Sequence, residues 1–175
     1  MNILSKKTFW HLIAITFMIE FAIKVSPGYI GPFIQKELSL SYTQVGIYSA
    51  IFYIAYALLQ LPAGILVYNY GIKRNFLALL LLFISGLSIT SIGQSFTTLC
   101  LARMMMGVGS AITFTTLLTL ALRWFDEKHF PYYVGITNLF AMLGSIFLAL
   151  SFYLIDIENN WQYLFLFFTG LLSII

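Results

Sequence analysis

The 175-residue chain is 61% hydrophobic and 18% aromatic, while charged residues make up only 9% of it. Soluble domains carry about 25% charged residues, so this chain has too little polar surface to cover a water-soluble globule. The formal net charge of +3 comes from basic residues scattered along the chain, whereas a nucleic-acid-binding protein clusters them on one face. The single cysteine, Cys100, excludes an internal disulfide, and the two histidines match no metal-ligand spacing. We therefore expect no metal, no cofactor and no nucleic-acid partner.

Six apolar segments divide the chain, with approximate limits 9–33, 43–67, 76–95, 99–123, 132–155 and 160–175. Most reach the roughly 20 residues with which a helix crosses ~30 Å of hydrocarbon, and strand-like alternation is absent. The sequence therefore predicts an all-α, polytopic transmembrane helix bundle that forms one domain in a lipid bilayer. The last segment has only about 15 residues, so we expect an incomplete sixth helix.

The distribution of basic residues predicts the orientation in the membrane. With the N-terminus inside, the cytoplasmic ends of the segments carry Lys6, Lys7, Lys73, Arg74, Arg123 and Lys128. The outer loops carry Lys36 together with the acids Glu37, Asp156 and Glu158. This asymmetry follows the positive-inside rule and predicts a cytoplasmic N-terminus in a cell membrane. The segment ends also carry Trp10, Trp124 and Trp161, as expected for rings at the headgroup level.

Glu20, Lys24 and Arg103 are the informative ionisable residues of the apolar segments. A charge at the bilayer centre costs ~2.5–3.5 kcal/mol, so such groups usually face the bundle interior or a cavity. Glu20 lies about eleven residues into the first segment, hence ~16 Å deep, and Lys24 follows at i+4 on the same face. Arg103 lies near the start of the fourth segment, at a similar expected depth. The sequence predicts one acid and two bases in one layer.

Two interpretations of these charges stay open. In the first, Glu20 binds and releases a proton while Arg103 or Lys24 meets an anionic group of a substrate. In the second, Glu20 only neutralises Lys24 or Arg103 inside the bundle. For Lys24 we also expect a side chain that snorkels toward the outer surface.

The second segment has a polar face, because Tyr53, Tyr56 and Gln60 are spaced i, i+3, i+7. This stripe indicates either a substrate path or tyrosines that bond to neighbouring helices. Weaker candidates of the same kind on later segments are Thr113, Thr115, Thr116, Thr119 and Asn138.

Several stretches resemble signatures of one transporter family. Residues 60–74 contain QLPAGIL, then Gly71 and Lys73-Arg74; residues 103–111 are RMMMGVGSA; residues 160–165 are NWQYLF. In order, they resemble the loop between helices 2 and 3, the R-x-x-x-G-x-G-x-A of helix 4 and the G-W-R-x-x-F of helix 6 in the major facilitator superfamily. The match covers nearly the whole chain.

The resemblance implies the N-terminal six-helix half of such a transporter, with two inverted three-helix repeats. It also implies alternating-access transport of a small solute, coupled to a proton or ion gradient. A truncated or non-transporting subunit, which needs a second half to form a site, is the alternative. We find no nucleophile–base constellation and expect no enzyme.

Four glycines belong to these signatures. Gly64 and Gly71 are expected to let helices 2 and 3 reverse in a tight loop, because glycine adopts positive φ freely. Gly107 and Gly109 are expected to permit close helix approach, since packing drives helix association in lipid.

The chain departs from the family pattern in two places. Tyr68 and Asn69 stand where the loop signature has an acid and a base, and the Gly-Pro pair of the antiporter signature is absent from 135–144. The resemblance therefore does not imply antiport by that route. Two roles stay open for Lys73 and Arg74: they are positive-inside anchors, or they are part of a gate.

Overall fold

A computed structural model of the protein describes residues 3–154 and 157–174, and within these ranges the backbone forms helices and no strand. The helices are α1 (Ile3–Val25), α2 (Pro27–Glu37), α3 (Tyr42–Tyr70), α4 (Ile72–Ile92), α5 (Phe96–Ser110), α6 (Thr113–Trp124), α7 (Phe130–Leu154) and α8 (Ile157–Ile174). A 3-10 turn at Glu127–His129 precedes α7. Asp156 and the side chains of Tyr68 and Glu158 lie outside the described residues.

Two of the predicted segments are bent, so six segments appear as eight helices. The first segment, 9–33, is divided between α1 and α2, because Pro27 has no N–H to offer the carbonyl of Ile23. The Ser26 hydroxyl donates to that carbonyl at 2.8 Å instead. The fourth segment, 99–123, is divided between α5 and α6 by a turn at residues 111–112. Each bend frees backbone or side-chain groups for contacts between helices.

The reversal between α3 and α4 depends on one glycine. Gly71 alone separates the two helices, and its φ of +80° is a conformation that glycine adopts at low cost. The Asn75 amide donates to the carbonyls of Leu66 and Gly71 at 2.7 and 2.8 Å, which satisfies carbonyls at the end of α3. The prediction that Gly64 helps to form this turn is wrong, because α3 continues through it.

The helices pack mainly in pairs. α1 packs against α7 and α6, α5 packs against α3 and α4, and α4 packs against α8. If the second three-helix unit repeats the first, the α1–α7 and α3–α5 pairs are equivalent positions, as expected for repeats in transporters.

Glycines bring several of these helices into backbone contact. A Cβ added to Gly107 would lie 2.5 Å from the Phe52 carbonyl oxygen of α3. A Cβ on Gly109 would lie 2.7 Å from the Leu79 carbonyl oxygen of α4. The close helix approach that the sequence predicts for these two glycines is therefore present.

Two of the three tryptophans are enclosed by protein. The Trp10 indole N–H donates to the Leu117 carbonyl at 3.1 Å, and that of Trp161 donates to the Glu37 carboxylate. Both rings are buried. The two rings are therefore enclosed by protein, while their depth at the headgroup level stays a prediction.

The helix surfaces are apolar enough for lipid. In the described part of the chain, five stretches are long and apolar enough to cross a membrane: Ser5–Val25, Tyr42–Gln60, Ile72–Ile92, Phe96–Trp124 and Glu127–Phe152. Large apolar side chains are exposed along them, among them Leu58, Leu81, Ile92 and Met142. The helix α8 is not one of these stretches.

Candidate functional site

Glu20 is buried in the bundle, with 2% of its surface exposed. The Thr113 hydroxyl donates to its Oε1 at 2.9 Å, while its buried Oε2 has no hydrogen-bond partner. Thr113 is the first residue of α6, so the bend between α5 and α6 places this hydroxyl against α1. The free carboxyl oxygen is a position at which a proton can bind.

Arg103 on α5 is fully buried and holds the end of α1. Its Nη1 donates to the Ile23 carbonyl at 2.7 Å and its Nη2 to the Lys24 carbonyl at 2.8 Å. Carbonyls in the last turn of a helix lack donors within that helix, and Arg103 supplies donors to two of them. Its guanidinium carbon also lies 4.8 and 5.4 Å from the ring centres of Phe52 and Tyr48. Arg103 therefore ties α1 to α5 and α3.

The Lys24 ammonium lies among aromatic rings. Its nitrogen is 4.7 Å from the ring centre of Tyr56, 5.2 Å from Tyr53 and 5.5 Å from Phe21. Tyr56 is the midpoint of α3, so the side chain points toward the middle of the bundle. The snorkelling expectation for Lys24 is therefore wrong: cation–π attraction to α3 directs the ammonium inward.

No ion pair links the three charges. Among the described residues, the carboxylate of Glu20 is more than 4 Å from the nitrogens of Lys24 and Arg103, and the ion pair found there is Lys128–Asp126. Thr113 bonds to Glu20, and backbone carbonyls bond to Arg103. The structure therefore differs from the interpretation in which Glu20 directly neutralises one of the bases.

A narrow cleft with about 10 Å³ of free space, room for about one water molecule, joins these groups. It is lined by Phe17, Glu20, Phe21, Lys24, Phe52, Tyr56 and Ser110. Gln60 extends the polar lining of α3, because its amide donates to the Tyr56 hydroxyl at 3.4 Å. Arg103 is not part of this lining. Ligand sites usually enclose ~300–1,000 Å³, so the cleft as it stands is much smaller than a complete ligand site.

The remaining predicted residues lie away from the cleft. Lys73 and Arg74 are exposed at the start of α4, where Lys73 borders a groove along the first half of α1. The Asn138 amide bonds to the Val134 carbonyl within its own helix. Thr116 is buried without a hydrogen-bond partner for its hydroxyl.

Residues 12–175 match the model of the Major Facilitator Superfamily. The chain belongs to this family. A hexuronate transporter of Bacillus subtilis is 25% identical over 131 residues, which cover 75% of this chain and 31% of that protein. A probable sulfoacetate transporter of Cupriavidus necator is 25% identical over 134 residues, with coverages of 77% and 31%. An uncharacterized protein of Campylobacter jejuni is 27% identical over 138 residues, with coverages of 77% and 42%.

Membership of the superfamily confirms the resemblance carried by the sequence signatures. Together with the apolar helices, it makes this an all-α, multi-pass membrane protein. The chain spans about a third to two-fifths of the length of the curated relatives that it matches.

Sequence reasoning missed part of what surrounds the charges. It placed Thr113 among the weaker candidates and did not single out Tyr48 or Phe52. The signal was present on the second segment, where Tyr48, Phe52 and Tyr56 recur at i, i+4 and i+8 and so share one helix face. An aromatic stripe opposite buried cations predicts cation–π contacts.

Proposed function

We propose that this chain forms the N-terminal half of a secondary transporter that moves a small solute across the cell membrane by alternating access. Membership of the superfamily and two relatives named as transporters support the proposal. A second six-helix half, in the same chain or a partner, completes the site, since transporter sites lie between repeats. Basic residues at one set of segment ends, Lys6, Lys7, Lys73 and Arg74 among them, support a cytoplasmic N-terminus.

Glu20 is the observation that carries proton coupling in this proposal. Ionisable groups inside a membrane usually belong to substrate or ion pathways. One oxygen of Glu20 is held by Thr113 while the other is free, and the residue lines the cleft. The carboxyl thus keeps its position whether or not the free oxygen carries a proton. Alternating access then exposes that oxygen to water on one side of the membrane at a time.

Transport assays on the full-length protein in proteoliposomes test this role. We expect Glu20→Gln to abolish uptake of hexuronate or sulfoacetate driven by a proton gradient. The same variant keeps exchange of labelled for unlabelled solute, because exchange moves no net proton. The matched control is Glu127→Gln, which neutralises an exposed acid in the 3-10 turn and leaves both activities unchanged. Unchanged gradient-driven uptake in Glu20→Gln at every pH removes Glu20 from coupling.

A second candidate function is that of a membrane subunit without transport activity of its own. The small free space of the cleft favours it, because a complete ligand site is much larger. Native mass measurement and crosslinking in detergent distinguish the two arrangements. A defined dimer of this chain supports a transporter made of paired halves, whereas a monomer that aggregates supports the subunit without transport activity.

A further inference from the structure

The two cations near the cleft differ in what their nitrogens already bind. Both Nη atoms of Arg103 donate to backbone carbonyls, at 2.7 and 2.8 Å, and the residue is fully buried. Its remaining N–H donors are enclosed with it, because Arg103 is fully buried and does not line the cleft, so an anion in the cleft does not meet them. Arg103 is therefore a positioning residue for the last turn of α1, which carries Lys24.

The Lys24 ammonium has its three N–H donors unused. In the described part of the chain it has no carboxylate within 4 Å and no hydrogen-bond acceptor, and its contacts are the three ring faces. The residue is only half-buried and lines the cleft, so part of its side chain stays open to the surroundings. An ammonium inside a membrane protein normally pairs with an opposite charge.

We propose that the transported solute carries an anionic group, a carboxylate or a sulfonate, and that Lys24 binds this group while Arg103 does not. This inference rests on the proposed transport function and specifies the substrate class of the same site. Phe21, Tyr53 and Tyr56 hold the ammonium at the cleft before the solute arrives, so little side-chain entropy is lost on binding. The names of the two transporter relatives, for a hexuronate and for sulfoacetate, refer to anions of these two kinds.

The same arrangement links the anion to the proton. Around this turn of α1, α3 contributes the phenols of Tyr48, Tyr53 and Tyr56, α5 contributes Arg103, α6 contributes the Thr113 hydroxyl and α7 contributes Gly144. Glu20 is the one carboxyl among these described groups. When Glu20 is ionised, its charge offsets that of Lys24, and when it is protonated the cleft gains one positive charge. Binding of an anion and of a proton therefore favour each other, by thermodynamic reciprocity.

Calorimetric binding to the purified full-length protein in detergent tests the assignment. The probes are glucuronate, which is a hexuronate, sulfoacetate, and glucose as the neutral counterpart of glucuronate. We expect at least one anion to bind the wild type and glucose not to bind. Lys24→Met should weaken anion binding by about tenfold to a hundredfold, the range for losing a charged hydrogen bond. Lys24→Arg should retain most of the affinity, because it restores the charge and stacks on the same rings.

Two further variants and three binding outcomes can refute this assignment. Lys36→Met, which removes an exposed lysine at the end of α2, should bind the anions as the wild type does. Glu20→Gln should bind the anion with an affinity that no longer changes with pH. Equal anion binding by Lys24→Met and wild type, preference for glucose, or binding of neither anion would each overturn the proposal.

Failure of this inference differs from failure of the transport function. If a neutral solute is carried and its uptake depends on Glu20, the function stands and the anionic substrate class fails. If anions bind through Lys24 but no uptake occurs, the substrate class stands and transport fails.

Discussion

The contact between α4 and α5 is made by glycines, whereas the cleft between α1, α3 and α6 is made by polar and aromatic side chains. On α4, a Cβ at Gly86 would lie 2.8 Å from the Ala102 carbonyl oxygen of α5, and Gly109 of α5 meets α4 in the same manner. In the cleft region, buried polar atoms of Glu20, Tyr48 and Arg103 lack partners. The α4–α5 contact is closely packed, whereas the cleft region retains buried polar atoms that make no hydrogen bond.

This difference separates stability from activity. Close-packed backbones in lipid gain dispersion contacts at no cost in buried polarity. Unsatisfied buried groups lower stability, and proteins usually retain them at functional sites. We therefore expect substitutions at the α4–α5 contact to destabilise the protein, and conservative substitutions in the cleft to change activity while the fold persists.

The largest expected effect is that of Gly109→Ala. The new methyl would lie 2.7 Å from both the Leu79 carbonyl oxygen and the Phe83 backbone nitrogen, and neither can move without shifting α4. We expect a loss of about 3 kcal/mol in the free energy of unfolding, at the upper end for overpacking. Thermal unfolding in detergent measures it.

Gly135→Ala on α7 is the matched control, because nothing lies within 4 Å of its added Cβ. It should stabilise the protein by up to about 1 kcal/mol through helix propensity. If both variants shift the midpoint in the same direction, the α4–α5 contact is not the rigid region that the comparison requires.

A smaller loss is expected for Arg103→Met, which tests the boundary between the two regions. The variant removes two charged hydrogen bonds to the end of α1 but also removes a buried charge, so the losses partly cancel. We expect a decrease of about 2 kcal/mol in the free energy of unfolding, and Arg123→Met at the exposed end of α6 should cause almost none. Arg103→Lys should recover part of the loss. A stability equal to wild type would show that α1 keeps its position without Arg103.

The sequence predicted the helices well because apolar length is a strong signal. A run as long and apolar as 76–95 predicts a membrane-spanning helix. The observed α4, Ile72–Ile92, differs from that segment by a few residues. The bends were harder to predict. Pro27 marks the break of the first segment, but the turn at residues 111–112 has no proline to mark it.

The sequence predicted which charged residues belong to the site, but not which hydrogen bonds they make. Glu20, Lys24 and Arg103 could be identified because a charge is costly inside a membrane and therefore rare in apolar segments. Which partner each charge takes depends on distances between helices, which one sequence does not contain. Glu20 accepts from Thr113, whereas one of the two open interpretations gave it a basic partner, and backbone carbonyls accept from both Nη atoms of Arg103.

Glu20→Gln should leave stability nearly unchanged although it abolishes coupling. Glutamine keeps the volume and the carbonyl oxygen that accepts from Thr113, and it removes an ionisable group from the interior. We expect a free energy of unfolding within about 1 kcal/mol of the wild type. A drop as large as that of Gly109→Ala would mean that the cleft is a structural core, and the distinction between the two regions would fail.

The smallest effect is expected where charges meet in water, at the exposed Lys128–Asp126 pair of the loop between α6 and α7. The Lys128 ammonium, 2.9 Å from Asp126, lowers the pKa of that carboxyl, and the Lys128 backbone N–H adds to the shift. Because the folded pKa is the lower one, any stabilisation is present above the ordinary pKa of aspartate and is lost as the pH falls through the folded value. Asp126→Asn should shift the thermal midpoint barely at pH 7, and the remaining difference should vanish at low pH. A large shift at pH 7 would show that this surface pair, unlike most, contributes to the bundle, and the contrast with the unpaired charges of the cleft would have to be redrawn.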